Sequence, residues 1–338
     1  MADCPEDTIE SGVVSPSRAA AAQPASADAH RIQVVLNPAA RSGAAAAVRE
    51  EVARELEARG VAWTRVDTSG PGDAVEIARR AALNGAPVVV AVGGDGTVHE
   101  VANGLLRARA EREHDTALGI IPCGTGNDFA HNVAGIPGRA AAYDALMRGR
   151  TRRVDAGLVE WNGGGEYFVN AMGTGMDVEV VRQLRKTSRL PGALIYLSAV
   201  LRTLRVFRPT PLRLDGAGDV VDSSAYVIAI CNGSRIAGGL RICPDSLPDD
   251  GVLDACFVQA LPWHRIPPTL LGVLRGTHGG MPWVRMLRAQ SFTLAVPRGT
   301  HLYFQLDGEL RDGGSANELR ISNVPGALRV VSALAKEG

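Results

Sequence analysis

The sequence predicts an α/β domain built on a parallel sheet, followed by a β-rich, sandwich-like domain. Three observations carry this reading. Short apolar runs alternate with helix-period segments from Arg31 to about residue 158. Two glycine-rich turns, each set between an apolar strand and a helix start, lie about thirty residues apart at Gly93 and Gly124, the length of one βαβ unit. Beyond Asp155 short strands predominate, separated by turn signals such as NGGGE, DGAGD and PDDG.

Residues 1–30 carry five acids and one arginine and are rich in Ala, Pro and Ser without amphipathic spacing, so they read as a disordered tail. Ile32–Leu36 is an apolar strand, and 44–59 a helix closed by Gly60. Trp63–Asp67 and Asp73–Leu83 repeat the pair, ending at Asn84 and Gly85. Two further strand–turn–helix units follow, then a helix near 140–147 and a strand near 153–158. The later strands are expected at 167–170, 212–214, 225–231, 253–258, 292–296 and 302–306, with helical insertions near 177–206 and 263–288. The expected division is a nucleotide-binding domain at 31–157, a β-rich acceptor domain at 158–327, and a closing segment, 328–338, that returns to the first domain.

Composition narrows the class. A chain of 338 residues is long enough for two cores. Formal charge is zero, which argues against a nucleic-acid binder, although residues after the tail carry about +4. No uncharged apolar run reaches about 18 residues, so no transmembrane helix is expected. Asp3, Glu6, Asp7 and Glu10 stand where a secretory signal would be basic and then apolar. Cys4, Cys123, Cys231, Cys243 and Cys256 have no CxxC spacing, which predicts reduced thiols, a cytoplasmic protein and no zinc site.

The chemistry is concentrated in VVVAVGGDGTVHEVANGLL, residues 88–106. Val88, Val89, Val90, Ala91 and Val92 suit a strand buried on both faces, and Val98, Val101, Ala102 and Leu105 recur at helical spacing. Gly93, Gly94 and Gly96 permit a tight turn and close approach of a ligand, while Thr97 is placed to cap a helix whose N-terminal amides would receive phosphate. Asp95 would repel phosphate directly, so its carboxylate makes sense there with Mg²⁺ or its water between them. The bland alternative is an ordinary glycine-rich turn. LGIIPCGTGNDFA at 118–130 argues against it by repeating the plan with Gly124, Thr125, Gly126, Asn127 and Asp128. Both turns then fall at the carboxyl edge of one sheet, where open α/β sheets bind ligands. Neither fits the dinucleotide fingerprint or the P-loop.

GGDGT at 93–97, GTGND at 124–128, NPAARSG at 37–43 and DGE at 307–309 together resemble the diacylglycerol kinase catalytic family, which includes bacterial soluble lipid kinases and is related to sphingosine and ceramide kinases. The resemblance runs from about Arg31 to the C-terminus. It implies a phosphofructokinase/NAD-kinase-like first domain and ATP-dependent phosphorylation of a lipid hydroxyl, with diacylglycerol the default acceptor and phosphatidic acid the product, and a sphingoid base or other lipid alcohol the alternative acceptor. Glu309 would be the general base, accepting the proton of a poorly nucleophilic alcohol. Asp95 would organise the catalytic Mg²⁺, and Asp128 and Asp155 either extend the acidic network or serve as cap and strand-end residues. Nucleotide contacts are implied at Asn37, Thr68, Gly93, Gly94, Asp95, Gly96, Thr97, Glu100, Gly124, Thr125 and Asn127. The loop at 244–251 resembles a structural Mg²⁺ loop, with ligands from the Leu247 carbonyl, the Asp250 carboxylate and the Val252 carbonyl, or else is a plain hairpin turn. Pro248 inside it is a departure from the pattern.

Residues 181–208 hold seven basic side chains around an apolar centre at 193–201, which reads equally as an anionic-lipid contact or as a solvated face over a core helix. The expected partner is a lipid at the membrane surface, met by a cytoplasmic, peripherally associated enzyme. A homodimer is compatible with the chain, but nothing marks its interface. NAD kinase, which also carries GGDGT, is an alternative; GTGNDFA replaces the Asn-Glu pair expected in its second segment. A non-catalytic lipid or nucleotide sensor is the other, disfavoured by the retention of Asp95, Thr125 and Glu309.

Overall fold

The computed structural model describes residues 31–38, 45–162, 164–186, 202–203 and 207–334. The expected tail and the 39–44 part of the NPAARSG loop lie outside the described residues.

The first half is a four-stranded parallel sheet flanked by helices. Its strands are β1 (Ile32–Leu36), β2 (Trp63–Asp67), β3 (Val88–Gly93) and β4 (Ala117–Pro122), in the order β2-β1-β3-β4. Val34 pairs with Val90 and Val89 with Leu118, all fully buried, the continuous apolar run that a sheet covered on both faces demands. The crossovers contain α1 (Ala45–Ala58), α2 (Asp73–Leu83) and α3 (Asp95–Glu111). Helix α2 buries a stripe of Ala74, Ala78, Ala81 and Ala82. Small residues let α3 approach so closely that a Cβ on Gly104 would sit 2.3 Å from the Val75 carbonyl oxygen. Two short helices follow β4, α4 (Asp128–Asn132) and α5 (Arg139–Arg148).

Two long strands join this sheet to the rest. Strand β5 (Thr151–Trp161) runs antiparallel to the last strand, β15 (Glu318–Val331), and Val330 pairs in parallel with Leu118 of β4. The N-terminal part of β15 pairs with β12 (Ser291–Ala295). A bulge between Val324 and Leu328 separates the two parts, and bulges re-aim strands in this way. The β-rich part also contains β6 (Gly164–Phe168), β7 (Ala171–Gly175), β8 (Thr210–Gly216), β9 (Asp219–Cys231), β10 (Leu253–Gln259), β11 (Val284–Ala289), β13 (Tyr303–Leu306) and β14 (Glu309–Asp312). Its core is led by Phe168, Phe257, Phe292 and Phe304. Helix α6 (Met176–Lys186) follows β7, and α7 (Ile266–Arg275) covers a third, smaller core.

The fold class is the one the sequence predicts, with local departures. The second insertion is helical only in α7; residues 284–288 belong to β11, where Val284, Leu287 and Ala289 are buried along β10. The PDDG signal is not a hairpin but the end of an irregular loop leading into β10. DGAGD is a two-residue hairpin, with Ala217 and Gly218 at φ +54° and +86°.

Candidate functional site

The carboxyl ends of β1, β2, β3 and β4 border an open cleft of about 540 Å³. Asn37, Thr68, Gly94, Gly96, Thr97, Glu100, Gly124, Thr125 and Glu309, all predicted site residues, line it. The two glycine turns touch there. A Cβ on Gly124 would stand 2.6 Å from the Gly94 Cα, and one on Gly93 would stand 2.2 Å from Thr97 Oγ1. Glycine is required at both positions for lack of space. Thr97 does not cap α3, whose N-cap is Gly94 and carries no side-chain cap bond; its hydroxyl accepts a hydrogen bond from Asn37 Nδ2 at 3.3 Å.

Asn127, Asp95 and Gly93 do not line the cleft. Asn127, at φ +53°, folds back on its own turn: its Oδ1 accepts from the Gly124 amide at 3.0 Å and its Nδ2 donates to the Gly124 carbonyl at 2.9 Å. Asp95 accepts from the backbone amides of Phe129 and Asn127 at the start of α4. Glu100 likewise accepts from Gly72 and Ala74 at the start of α2, at 2.9 and 3.3 Å. Each acid thereby satisfies helix-terminal donors of a neighbouring element.

Burial, then the neighbouring Asp128, raises the Asp95 carboxyl to about 6. Asp128 is also raised, chiefly by burial, although Gly238 donates to it at 2.8 Å. Both carboxylates face Gly126, where a Cβ would lie 2.8 Å from Asp95 Oδ2 and 3.6 Å from Asp128 Oδ2. Two buried acids that repel each other in this way favour a cation between them. Asp155 lies elsewhere. It accepts from Gly251, Asn323 and Gly326 at 2.7–3.0 Å and ties the 248–251 loop to the β15 bulge.

Glu309 reaches the cleft from the β-rich half. Asp307 (φ +49°) and Gly308 (φ +88°) form a two-residue turn between β13 and β14, which projects Glu309 over α3. Its Oε1 lies 2.9 Å from the position a Gly96 Cβ would take. Asp307 anchors the turn by accepting from the amides of Val169, Asn170 and Ala171 at 2.8–3.0 Å.

Behind this turn is a buried ionic chain that sequence reasoning missed. His99, 1% exposed, donates through Nδ1 to Asp307 at 2.8 Å and through Nε2 to Glu166 at 2.9 Å. Arg311 holds both oxygens of Glu166, at 2.6 and 2.5 Å. Burial opposes a charge on His99, but its two carboxylate partners outweigh burial and raise it to about 9. Glu166 is held at about 2 by Arg311 and His99 against its own burial. Asn103, one helical turn on, bonds both backbone groups of Tyr167 at about 3 Å. A polar His and Asn four apart among the apolar positions of α3 was the available signal.

On the other side of the turn, the Gly308 amide donates to Gln305 Oε1 at 2.6 Å, and Gln305 Nε2 donates to Asp177 Oδ2 at 2.8 Å. Asp177 is buried and its carboxyl raised by that burial. It lines a separate apolar pocket enclosed by Met176, Val180, Tyr226, Leu261 and the inner face of α7.

In the loop that resembles a structural Mg²⁺ site, Asp250 Oδ2 pairs with the Arg288 guanidinium, and Oδ1 accepts from the Val252 amide at 3.2 Å. In the basic 181–208 stretch, Arg182 lies 4.4 Å from the Tyr303 ring centroid and 3.6 Å from Glu179. Residues 187–201 and 204–206 lie outside the described residues. Among the described residues no helix is long and apolar enough to cross a membrane.

A parallel-sheet domain with a glycine-lined cleft, completed by an acid from a sandwich-like domain, defines a phosphotransferase class that draws one site from two halves. Comparison with known proteins sharpens this. Residues 31–159 match the diacylglycerol kinase catalytic domain, and residues 170–332 match the YegS C-terminal NAD kinase beta sandwich-like domain. A Pseudomonas aeruginosa protein named "Probable lipid kinase YegS-like" is 35% identical over 85% of this chain and 88% of its own. A Mycobacterium tuberculosis protein named diacylglycerol kinase is 30% identical over 89% of this chain and 94% of its own. A solved structure of a diacylglycerol kinase from Bacillus anthracis superposes with a TM-score of 0.66 at 20% identity, covering 90% of this chain and 97% of that one. The chain belongs to the diacylglycerol kinase family and is a lipid kinase by class.

Proposed function

We propose that the protein transfers the γ-phosphate of ATP to the hydroxyl of a membrane lipid, with diacylglycerol the default acceptor and phosphatidic acid the product. The observation that carries this reading is the place of Glu309, a carboxylate from the β-rich half set against Gly96 in the glycine-lined cleft. Phosphates would lie along the amides of the two turns, which are open to close approach because Gly94 and Gly124 bear no side chains. Glu309 accepts the proton of the attacking hydroxyl. Asp307, held by three amides and by His99, keeps the turn that carries Glu309 in place.

The facing acids Asp95 and Asp128 fit Mg²⁺ brought in with the nucleotide, which would neutralise phosphate charge as phosphoryl transfer requires. The apolar pocket supports a lipid acceptor over NAD, a polar dinucleotide. Its buried Asp177 is linked through Gln305 to Gly308, beside the proposed base. Acyl chains fit this pocket chemically.

The test is incubation of the protein with labelled ATP and Mg²⁺, in separate reactions, with a total lipid extract and with NAD, followed by mass spectrometry of products. A phosphorylated lipid absent from a Glu309→Gln control is the expected result. Phosphorylated NAD, or no transfer to any lipid, would overturn the proposal.

A further inference from the structure

The described residues hold one apolar, basic surface that the cleft chemistry leaves unused. Pro262, Trp263, His264 and Arg265 lead into α7, and all are exposed, Trp263 to 79%. The helix then turns Pro267, Pro268, Leu271 (44% exposed) and Leu274 (52%) outward. Its inner side, with Ile266, Leu270 and Val273, lines the apolar pocket that contains Asp177. Helix α7 is thus apolar on both faces, a pattern water alone does not favour. Its seating is secure: Trp283 donates to the Thr269 hydroxyl at 2.8 Å, and the Arg265 guanidinium stacks 4.7 Å from the Trp283 ring centroid. Among the described residues, the Trp263 ring has its ring contact with His264, 6.2 Å away, and no hydrogen bond like that of Trp283.

Charge identifies the occupant. Residues 255–306 contain no Asp or Glu and five arginines, in a chain whose overall formal charge is zero. Arg265 and Arg275 flank the outward leucines, and Arg285 and Met286 are exposed on the adjacent β11. Met286 also lies against Gly279, just beyond α7. An exposed tryptophan, outward leucines and flanking arginines free of acidic neighbours in sequence match the headgroup boundary of an anionic bilayer: rings and leucines in the interface, guanidinium groups on phosphates.

We propose that the outer face of residues 263–275, with Arg285 and Met286 beside it, docks the protein on an anionic membrane and sets the apolar pocket beneath α7 against the bilayer. This rests on the lipid-kinase reading for its purpose, though not for its binding test. In the basic 181–208 stretch, Arg182 is instead engaged by Tyr303 and Glu179.

The test compares wild type, Trp263→Ser and the triple variant Trp263→Ser, Leu271→Ser, Leu274→Ser in co-sedimentation with phosphatidylcholine vesicles, with and without phosphatidylglycerol. Binding to the phosphatidylglycerol vesicles should fall about tenfold or more in the triple variant and severalfold in Trp263→Ser, whose exposed side chain leaves folding untouched. Arg275→Gln with Arg285→Gln should weaken binding further at low salt than at high salt. The apparent KM for bilayer-presented diacylglycerol should rise in step, while turnover of a water-soluble short-chain diacylglycerol stays at the wild-type rate. Unchanged sedimentation of the triple variant overturns the proposal. So does a dimer-to-monomer change in solution with vesicle binding intact, which would make this face a contact between copies of the chain. Failure of every lipid as a substrate would sink the catalytic reading alone, because sedimentation reads docking without turnover.

Discussion

His99 offers a measurable link between the buried chain behind the active-site turn and the pH dependence of stability. Its imidazole is raised from 6.5 to about 9 in the folded protein. A group with a raised folded pKa contributes stability that is fully present below its unfolded value and is lost as pH rises through the folded one. Between pH 6.5 and 9 the native state holds one more proton than the unfolded chain at this site, so stability falls by about 1.4 kcal/mol per pH unit, about 3 kcal/mol across the window. His99→Asn keeps a polar side chain but removes the proton. Glu166 keeps Arg311, and Asp307 keeps its three amides, so the variant should fold. Urea unfolding at pH 6.5, 7.5, 8.5 and 9.5, at fixed ionic strength, should show the wild type losing its advantage over the variant as pH rises, with the two curves converging near pH 9. Parallel curves would refute the argument, because the imidazole would then carry no extra proton in the folded protein.

Three further outcomes follow from the cleft. Glu309→Gln should retain ATP affinity but lower kcat by roughly 10²–10⁴, the usual loss with a general base; a near-normal kcat, read in a lipid kinase assay, would remove Glu309 from the chemistry. Asp95, raised to about 6, must be ionised to attract Mg²⁺, so the Mg²⁺ concentration for half-maximal activity should climb as pH drops through 6. Asp95→Asn should abolish that climb along with most activity, and an unaltered Mg²⁺ titration in the variant would leave the residue only its bond to the α4 amides. Gly96→Ala places a methyl group 2.9 Å from Glu309 Oε1, so it should cut kcat at least about tenfold with thermal stability within about 1 kcal/mol of wild type; undiminished turnover would mean that Glu309 need not hold its observed position.

What the sequence revealed depended on how local the signal was. The parallel strands were legible because burial on both faces leaves continuous runs such as VVVAV, and the glycine turns because a Cβ on Gly124 would stand 2.6 Å from the Gly94 Cα, which admits no other residue. The Asp307–Glu309 turn was legible only through family resemblance, since three residues at a hairpin do not show that they face Gly96, some two hundred positions earlier. Of the buried chain, only the polar pair His99 and Asn103 on the apolar side of α3 left a sequence signal; Glu166 and Arg311 left none. Each looks unremarkable in its own segment, and their chemistry exists only once β6, α3 and β14 meet. The helical reading of 284–288 failed for a related reason: its apolar residues fit either period, and pairing with β10 decided between them.

The acids of the site share a physical role that explains why a sheet edge can hold so many of them. Asp95 accepts amides from the start of α4, Glu100 from the start of α2, and Asp307 from the segment after β6. In each case the carboxylate belongs to one element and the donors to another, so the same contact that satisfies stray backbone groups also fixes the acid's position. Asp95 remains raised despite its amide donors, which means that these bonds do not offset burial and the repulsion of Asp128. Asp307 is balanced differently, by the protonated His99 at 2.8 Å. The acids in the cleft and those behind its glycine turns therefore stand in different electrostatic states. The turn carrying Glu309 is neutralised within the protein and rigidly held, whereas the Asp95–Asp128 side keeps unsatisfied negative charge that a cation arriving with the nucleotide would relieve. That asymmetry suits the proposed reaction, in which Glu309 would be in place before the substrates bind and Mg²⁺ would enter with the nucleotide.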